Sequence, residues 1–258
     1  MKVNTFLLLS LAGTLCSSLH ALKAQTLDER LIVGVSVGVA LPQQNFGKSD
    51  TIGRKDTTKV KGWATTGINF NVKAGFRLSK YFGVMALAGG NVHGFNASAY
   101  LNQNYTNPIL QGSVAVNATD YYLGSYLAGP FFSHPIGSFF AIEGRALAGV
   151  MTVKYSQLAP VVVFDGSDFN YLITYKPAVA LGYDFGLALK YKIIDQIAIT
   201  LSADYLGGNP AFSGYSVTYT GPTLPPPDAP AVNNGNSRIS YMSTGIFNIN
   251  AGAVFTFF

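Results

Sequence analysis

Charge is scarce in this sequence. Asp, Glu, Lys and Arg make up 11% of 258 residues, where an ordinary globular chain carries about 25%, so neither a disordered chain nor a conventional soluble exterior fits. Cysteine is scarcer still: Cys16 stands alone and can close no internal disulfide. Long apolar runs are also missing. A helical membrane span needs about 20 consecutive apolar residues, and the one candidate, residues 6–15, is about half that length and lies at the N-terminus. No G-X-Y or heptad period is present, which excludes collagen-like and coiled-coil chains. Yet 48% of the residues are apolar and 13% aromatic. That apolar matter must be hidden by another arrangement, β-rich and built as one domain.

Residues 1–24 read as a secretory signal peptide. Met1 and Lys2 open a basic start, residues 6–15 form the apolar stretch, and Ala24 offers a small-residue cleavage point before Gln25. Leu22 departs from the small residue preferred at −3, and Leu15 stands where a lipoprotein signal would place a small residue before Cys16. Cleavage after Ala24 removes Cys16, Lys2 and Lys23, leaving 15 basic against 12 acidic residues, a net charge of +3 rather than +5. That balance gives no basis for a nucleic-acid partner.

Residues 25–258 are dominated by period-two alternation. Val33, Val35, Val37, Val39 and Leu41 share one face, with Gly34, Ser36, Gly38 and Ala40 on the other. Ile68, Phe70, Val72, Ala74, Phe76 and Leu78 oppose Asn69, Asn71, Lys73, Gly75 and Arg77. Val179, Leu181, Tyr183, Phe185, Leu187, Leu189 and Tyr191 oppose Ala180, Gly182, Asp184, Gly186, Ala188 and Lys190, and Ile197, Ile199, Leu201, Ala203 and Tyr205 oppose Ala198, Thr200, Ser202 and Asp204. Residues 82–95, 120–132 and 139–154 alternate less cleanly; in the last, Ile142, Ala146 and Val150 oppose Glu143 and Arg145. A strand over 239–258 makes eight. Of twelve prolines, only Pro130 and Pro177 fall in these segments, near ends where a missing N–H is tolerated.

The connections alternate in length. Long ones at 42–66, 96–119, 155–174 and 207–238 alternate with short ones at 79–81, 133–138 and 192–196. Even strand number, both termini on the short-turn side and one apolar face are what a transmembrane β-barrel requires, and closure leaves no sheet edge facing lipid. Aromatics gather near strand ends: Tyr81, Phe82, Phe131, Phe132, Phe139, Phe140, Tyr191, Phe255 and Phe257 at the turn side; Phe95, Tyr121, Tyr122, Tyr155, Tyr175, Tyr205 and Tyr241 at the loop side. Two interfacial girdles are expected.

The C-terminal NINAGAVFTFF places Asn250, Gly252, Phe255 and Phe257 in an alternating polar–glycine–aromatic pattern. This resembles the insertion signal read by the barrel-assembly machinery. With the alternation it resembles the small bacterial outer-membrane β-barrel family, the OmpA-type and OmpX-like transmembrane domains and the barrel-only proteins of Bacteroidota. Phe258, one residue beyond the last expected aromatic, departs from the pattern. The resemblance implies an eight-stranded antiparallel up-and-down barrel in the outer membrane of a Gram-negative bacterium, with both termini periplasmic and no peptidoglycan-binding domain after it. It implies a monomer whose partners are outer-membrane lipid, lipopolysaccharide and, during insertion, the barrel-assembly machinery.

Eight strands enclose a bore that side chains can fill. Lys73, Arg77, Arg145 and Lys190 face it with Glu143, Asp184 and Asp204. Mixed signs suit an internal charge network better than a selective pore, which favours one sign. A filled barrel with a structural or surface-binding role is therefore expected. A narrow channel for small solutes is the alternative, with Gly34, Gly38, Gly182 and Gly186 leaving room for water. A periplasmic lipocalin-like barrel shares the alternation but not the terminal aromatic pattern.

Catalysis has little to rest on. The mature chain holds His93 and His134, and neither precedes a serine in a His-x-Ser arrangement. Asp165 and Asp168 fall short of the ligand set of a cation site, so no cofactor or metal is expected. Binding is expected in the long loops. The first carries Lys48, Arg54, Lys55, Lys59 and Lys61 against Asp50 and Asp56, a set suited to lipopolysaccharide phosphates or simply to solvent. Asp50-Thr51-Ile52 and Asp56-Thr57-Thr58 resemble O-glycosylation acceptors of Bacteroidota. The last loop, with Pro222, Pro225, Pro226, Pro227 and Pro230, reads as extended chain.

Overall fold

The computed structural model describes residues 30–48, 61–104, 114–164, 167–214, 216–221 and 239–257. The signal segment 1–24, the cations Arg54, Lys55 and Lys59, both Asp-Thr triplets, Asp165, Phe258 and the prolines from Pro222 to Pro230 lie outside the described residues.

With strands numbered along the chain, eight of them form the wall: β1 (Leu31–Gln43), β2 (Ala64–Arg77), β3 (Phe82–Phe95), β5 (Tyr121–Ile136), β6 (Phe140–Lys154), β9 (Ala178–Ile194), β10 (Ile197–Gly208) and β14 (Thr244–Phe257). They close as one barrel in the order β1-β14-β10-β9-β6-β5-β3-β2. Every neighbouring pair is antiparallel, and β1 seals the cylinder by pairing with β14 (Leu31 opposite Phe257) and β2 (Leu31 opposite Phe76). The eight-stranded up-and-down barrel expected from the alternation is the observed fold. Its first and last strand ends lie with the three short turns, and the four long connections share the opposite end.

The alternation orients the wall. Val37, Ile68, Leu181, Leu187 and Leu201 stand outward, with Leu181 78% exposed, while Asn69, Lys73, Glu143, Asp184, Asp204 and Asn250 are buried inside. The turns are tight for identifiable reasons. Between β2 and β3 the Ser79 hydroxyl accepts from Phe82 N at 3.1 Å, and Leu78 N and Ser79 N both donate to the Phe82 carbonyl. Between β5 and β6 the chain reverses at Gly137, whose φ of +67° suits a residue without Cβ.

Three expectations are corrected. Residues 133–136 continue β5 rather than forming a turn. Prolines are commoner in the strands: Pro42, Pro130, Pro135 and Pro160 lie within them, and Pro177 just precedes β9. The β5–β6 ladder has no pairing at residues 129 and 130, consistent with the donor that Pro130 lacks. Finally, Tyr121, Tyr155 and Phe131 are buried, at 0%, 3% and 2% exposure. Tyr121 and Phe131 share the inward phase of Leu123 and Leu127 on β5, and Tyr155 follows inward Val153. They fill the bore, so the outer aromatic band is thinner than the sequence suggests; Tyr122, Tyr241, Phe82, Phe132, Phe139, Phe140, Tyr191, Phe255 and Phe257 remain on the outside.

The long connections are more ordered than a loop reading allows. β4 (Val114–Ala118), β7 (Leu158–Phe164), β8 (Ser167–Thr174) and β12 (Ser216–Thr220) form a four-stranded sheet in the order β12-β8-β7-β4, and β11 (Ala211–Phe212) pairs with β13 (Ser240–Tyr241). The four-stranded sheet has its own core of Leu158, Val162, Phe169, Tyr171, Ile173 and Val217, with Tyr100 from the helix Ala97–Asn104 and Trp63 and Phe95 packed against it. Buried positions alternate along β7 and β8, so one face packs against Tyr100, Trp63 and Phe95 while Asp168, Asn170 and Thr218 stay exposed.

Candidate functional site: the filled bore and its outer closure

Six of the seven sequence-predicted lumen charges meet in two clusters. Glu143, 1% exposed, accepts from Lys73 Nζ at 3.3 Å and also from Lys190 Nζ. Arg145 on the same strand places Nε 3.0 Å from Asp184 Oδ1 and a terminal nitrogen 2.8 Å from Asp204 Oδ1. These acceptors lie on β9 and β10, and Lys73 lies on β2. Gly186 makes the second cluster possible. A Cβ there would overlap the Asp204 carboxylate and stand 2.9 Å from Arg145 Nε. Strand register supplies the rest, since Arg145 pairs with Gly186 on one side and Asp204 pairs with it on the other. In a water-poor bore such pairs are stable only when the remaining polar atoms are also met. Asp204 Oδ2 accepts from Ser202 Oγ and from Asn250 Nδ2, each at 2.9 Å. Asn69 donates to Asn91 at 2.9 Å, and Asn71 donates to Asn69 at 2.6 Å.

Arg77 is the seventh of the expected lumen charges. It sits at the turn-end mouth, and among the described residues it has no ion pair and its Nε has no hydrogen-bond acceptor. All three lumen carboxylates are engaged deeper in the bore.

At the other end the bore is plugged by residues the sequence reading did not single out. Directly after β1 the chain turns at Gln44, φ +56°, into the single-turn helix Gln44–Gly47. Phe46 from that turn is fully buried and stands edge-on to His93 at 5.0 Å and to Tyr121 at 5.1 Å. Backbone bonds fix it: Phe46 N donates to the Ser243 carbonyl at 3.2 Å, and Gly62 N to the Asn45 carbonyl at 2.9 Å. Side chains on the wall hold the returning strand, with the Tyr121 hydroxyl donating to the Gly62 carbonyl and the Tyr155 hydroxyl to the Lys61 carbonyl at 2.8 Å. Gln44 Nε2 donates to the Tyr205 hydroxyl at 2.5 Å. Below the plug, Leu87, Leu127, Leu147, Met151 and Val153 join the same apolar core.

The remaining sequence candidates fall as follows. His93 Nδ1 donates to the Thr65 carbonyl at 2.9 Å beneath Phe46, and His134 stacks on Phe132 outside the bore. Among the described residues no three His, Cys, Asp or Glu side chains gather as a metal site would require. Asp168 is exposed on the outer sheet opposite Val163. Gly252 lies against Ser36 of β1, and Phe255 and Phe257 stand outward near the turn end. Lys48 is exposed, but Lys61 is 7% exposed and so does not face solvent as a first-loop cation. The sequence signals its charge without its direction; in the fold, Tyr121 and Tyr155 hold the backbone at 62 and 61.

A sealed cylinder with ions inside and Val, Leu, Ile and Phe outside inverts the soluble arrangement, and it defines a membrane-spanning β-barrel. No family model and no curated protein matches the chain. Among solved structures, Neisserial surface protein A is similar at 13% identity and a TM-score of 0.42, covering 88% of this chain and 97% of its own. Ail, the attachment invasion locus protein of Yersinia pestis, is similar at 15% identity and a TM-score of 0.38, with 88% and 99% covered. The outer membrane protease OmpT of Escherichia coli is similar at 9% identity and a TM-score of 0.43, with 91% and 99% covered.

Proposed function

We propose that this protein is an outer-membrane barrel with a closed bore, whose role is structural or surface-binding and is carried by the outward sheet and loops rather than by transport or catalysis. The observation that carries this reading is the double closure: Phe46 buried against His93 and Tyr121 at one level, and, at another, Glu143 ion-paired with Lys73 across the bore while Arg145 pairs with Asp184 and Asp204 along the wall. Outer-membrane placement rests on the apolar exterior and on the terminal pattern of Asn250, Gly252, Phe255 and Phe257, which is the surface the barrel-assembly machinery is proposed to read. With both termini periplasmic, the outer sheet faces outward and exposed Lys48 is available to lipopolysaccharide phosphates. Against catalysis, His93 is packed under an aromatic ring with its Nδ1 committed to the backbone.

Planar-bilayer recording of the purified barrel tests the reading. A closed bore gives no stable single-channel steps at any voltage that leaves the membrane intact. Stable steps overturn it in favour of the narrow channel. Membrane fractionation with heated and unheated gel electrophoresis tests the placement, since a folded outer-membrane barrel migrates differently before and after boiling.

A further inference from the structure

Lumen charge does not balance within the wall, and the imbalance sits beside a cavity. Lys73 and Lys190 share Glu143, and Arg145 takes both Asp184 and Asp204, which leaves Arg77 as the cation with no carboxylate among the described residues. Its Nε is buried and has no acceptor among the described residues. A guanidinium N–H out of reach of water is a donor whose hydration has been lost without replacement. Arg77 lines a cavity of about 210 Å³ at the turn end of the bore, with Lys190 and Lys192 beside it and Asp195 as the one acidic residue on its wall among the described residues. That carboxylate is 84% exposed and already paired with Lys192 at 2.6 Å. Buried Ile32 and Val254, 1% and 3% exposed, add an apolar part to the lining.

We propose that this cavity is an oxyanion site that takes a phosphate group at the turn-end mouth of the barrel. The Arg77 fork supplies paired N–H donors to two phosphate oxygens. Lys192 adds a second positive charge at the rim, and Lys190, already held by Glu143, contributes field from below. Among the described residues Lys192 is matched by Asp195 and Lys190 shares Glu143 with Lys73, so Arg77 and the lysine pair leave the site net positive, which favours an oxyanion over a neutral ligand, and the space suits a phosphate with a short substituent. Two sources have this chemistry: a free phosphate or phosphate monoester, and the headgroup of a phospholipid in the adjoining leaflet.

The test uses the full-length mature protein, refolded without phosphate. Inorganic phosphate is titrated into protein in a non-phosphate detergent, followed by 31P NMR line broadening and calorimetry. In parallel, lipid retained from nanodiscs containing phosphatidic acid or only neutral glycolipid is measured by mass spectrometry. Expected is saturable binding in one arm, weakened about tenfold or more in Arg77→Gln and less in Lys192→Gln. Arg77→Lys, which keeps the charge and loses the fork, should fall between wild type and Arg77→Gln. Lys80→Gln, at the same end but outside the cavity, controls for bulk charge. Heat-dependent gel migration confirms that each variant is folded. Binding in the detergent arm assigns the free group, and retention only from phosphatidic acid assigns the headgroup. Absence of binding in both arms, or equal binding by wild type and a folded Arg77→Gln variant, overturns the site.

Discussion

Replacing Glu143 by Gln tests whether the bore is dry. The change keeps the size of the side chain and removes the charge that two buried lysines share. Lys73 Nζ lies 3.3 Å from Glu143 Oε1, so the pair is worth about 5 kcal/mol at an effective dielectric near 20 and only about 1 kcal/mol in bulk water. Both lysines are 5–6% exposed and have no other carboxylate within ion-pair distance among the described residues. Breaking such a buried pair by removing one partner costs about 3–5 kcal/mol. Urea unfolding in phosphocholine bilayers, read by tryptophan fluorescence and gel migration, should show a loss in that range. Adding Lys73→Met and Lys190→Met to Glu143→Gln should recover most of it, because the cost lies in the uncompensated charge. A loss below about 1 kcal/mol for Glu143→Gln alone would mean that water screens the network, and the closed-bore argument would fail with it.

Two further outcomes follow from the same geometry. Leu187 is 66% exposed near the middle of β9, so Leu187→Arg should destabilise the barrel in bilayers by about 2–4 kcal/mol; an unchanged unfolding free energy would show that this face does not meet lipid. Phe46 is fully buried in the plug, so Phe46→Ala should cost about 3–5 kcal/mol in the same assay, and a near-zero loss would show that the single-turn helix does not seat in the mouth.

How far these features are legible in the sequence depends on how many faces of a strand are apolar. On β2, β9 and β10 one face is greasy and the other small or charged, and the alternation identifies both the strand and the side facing the bore. On β5 and β6 the inner face also carries Leu123, Leu127, Leu147 and Met151, so both faces look alike and the phase blurs. The inward charges could be read, but not their pairing, because Lys73 and Glu143 are 70 residues apart and meet only once shear and closure set their heights. The outer sheet had a signal in the alternation at 168–173 and 216–220, masked by its position between strands already counted. Phe46 had none: a single aromatic between Asn45 and Gly47 carries no period, and its burial is decided by the shape of the mouth it enters.

The contact between Lys73 and Glu143 joins β2 to β6, which are separated around the wall by β3 and β5. It is therefore a strut across the bore rather than a tie between neighbours. A cylinder held only by its ladder can ovalise when the surrounding leaflet squeezes it, because each hydrogen-bonded seam hinges. One braced across its width resists, so this barrel should keep a round cross-section, and the outer sheet a fixed footing, as lateral pressure in the membrane changes.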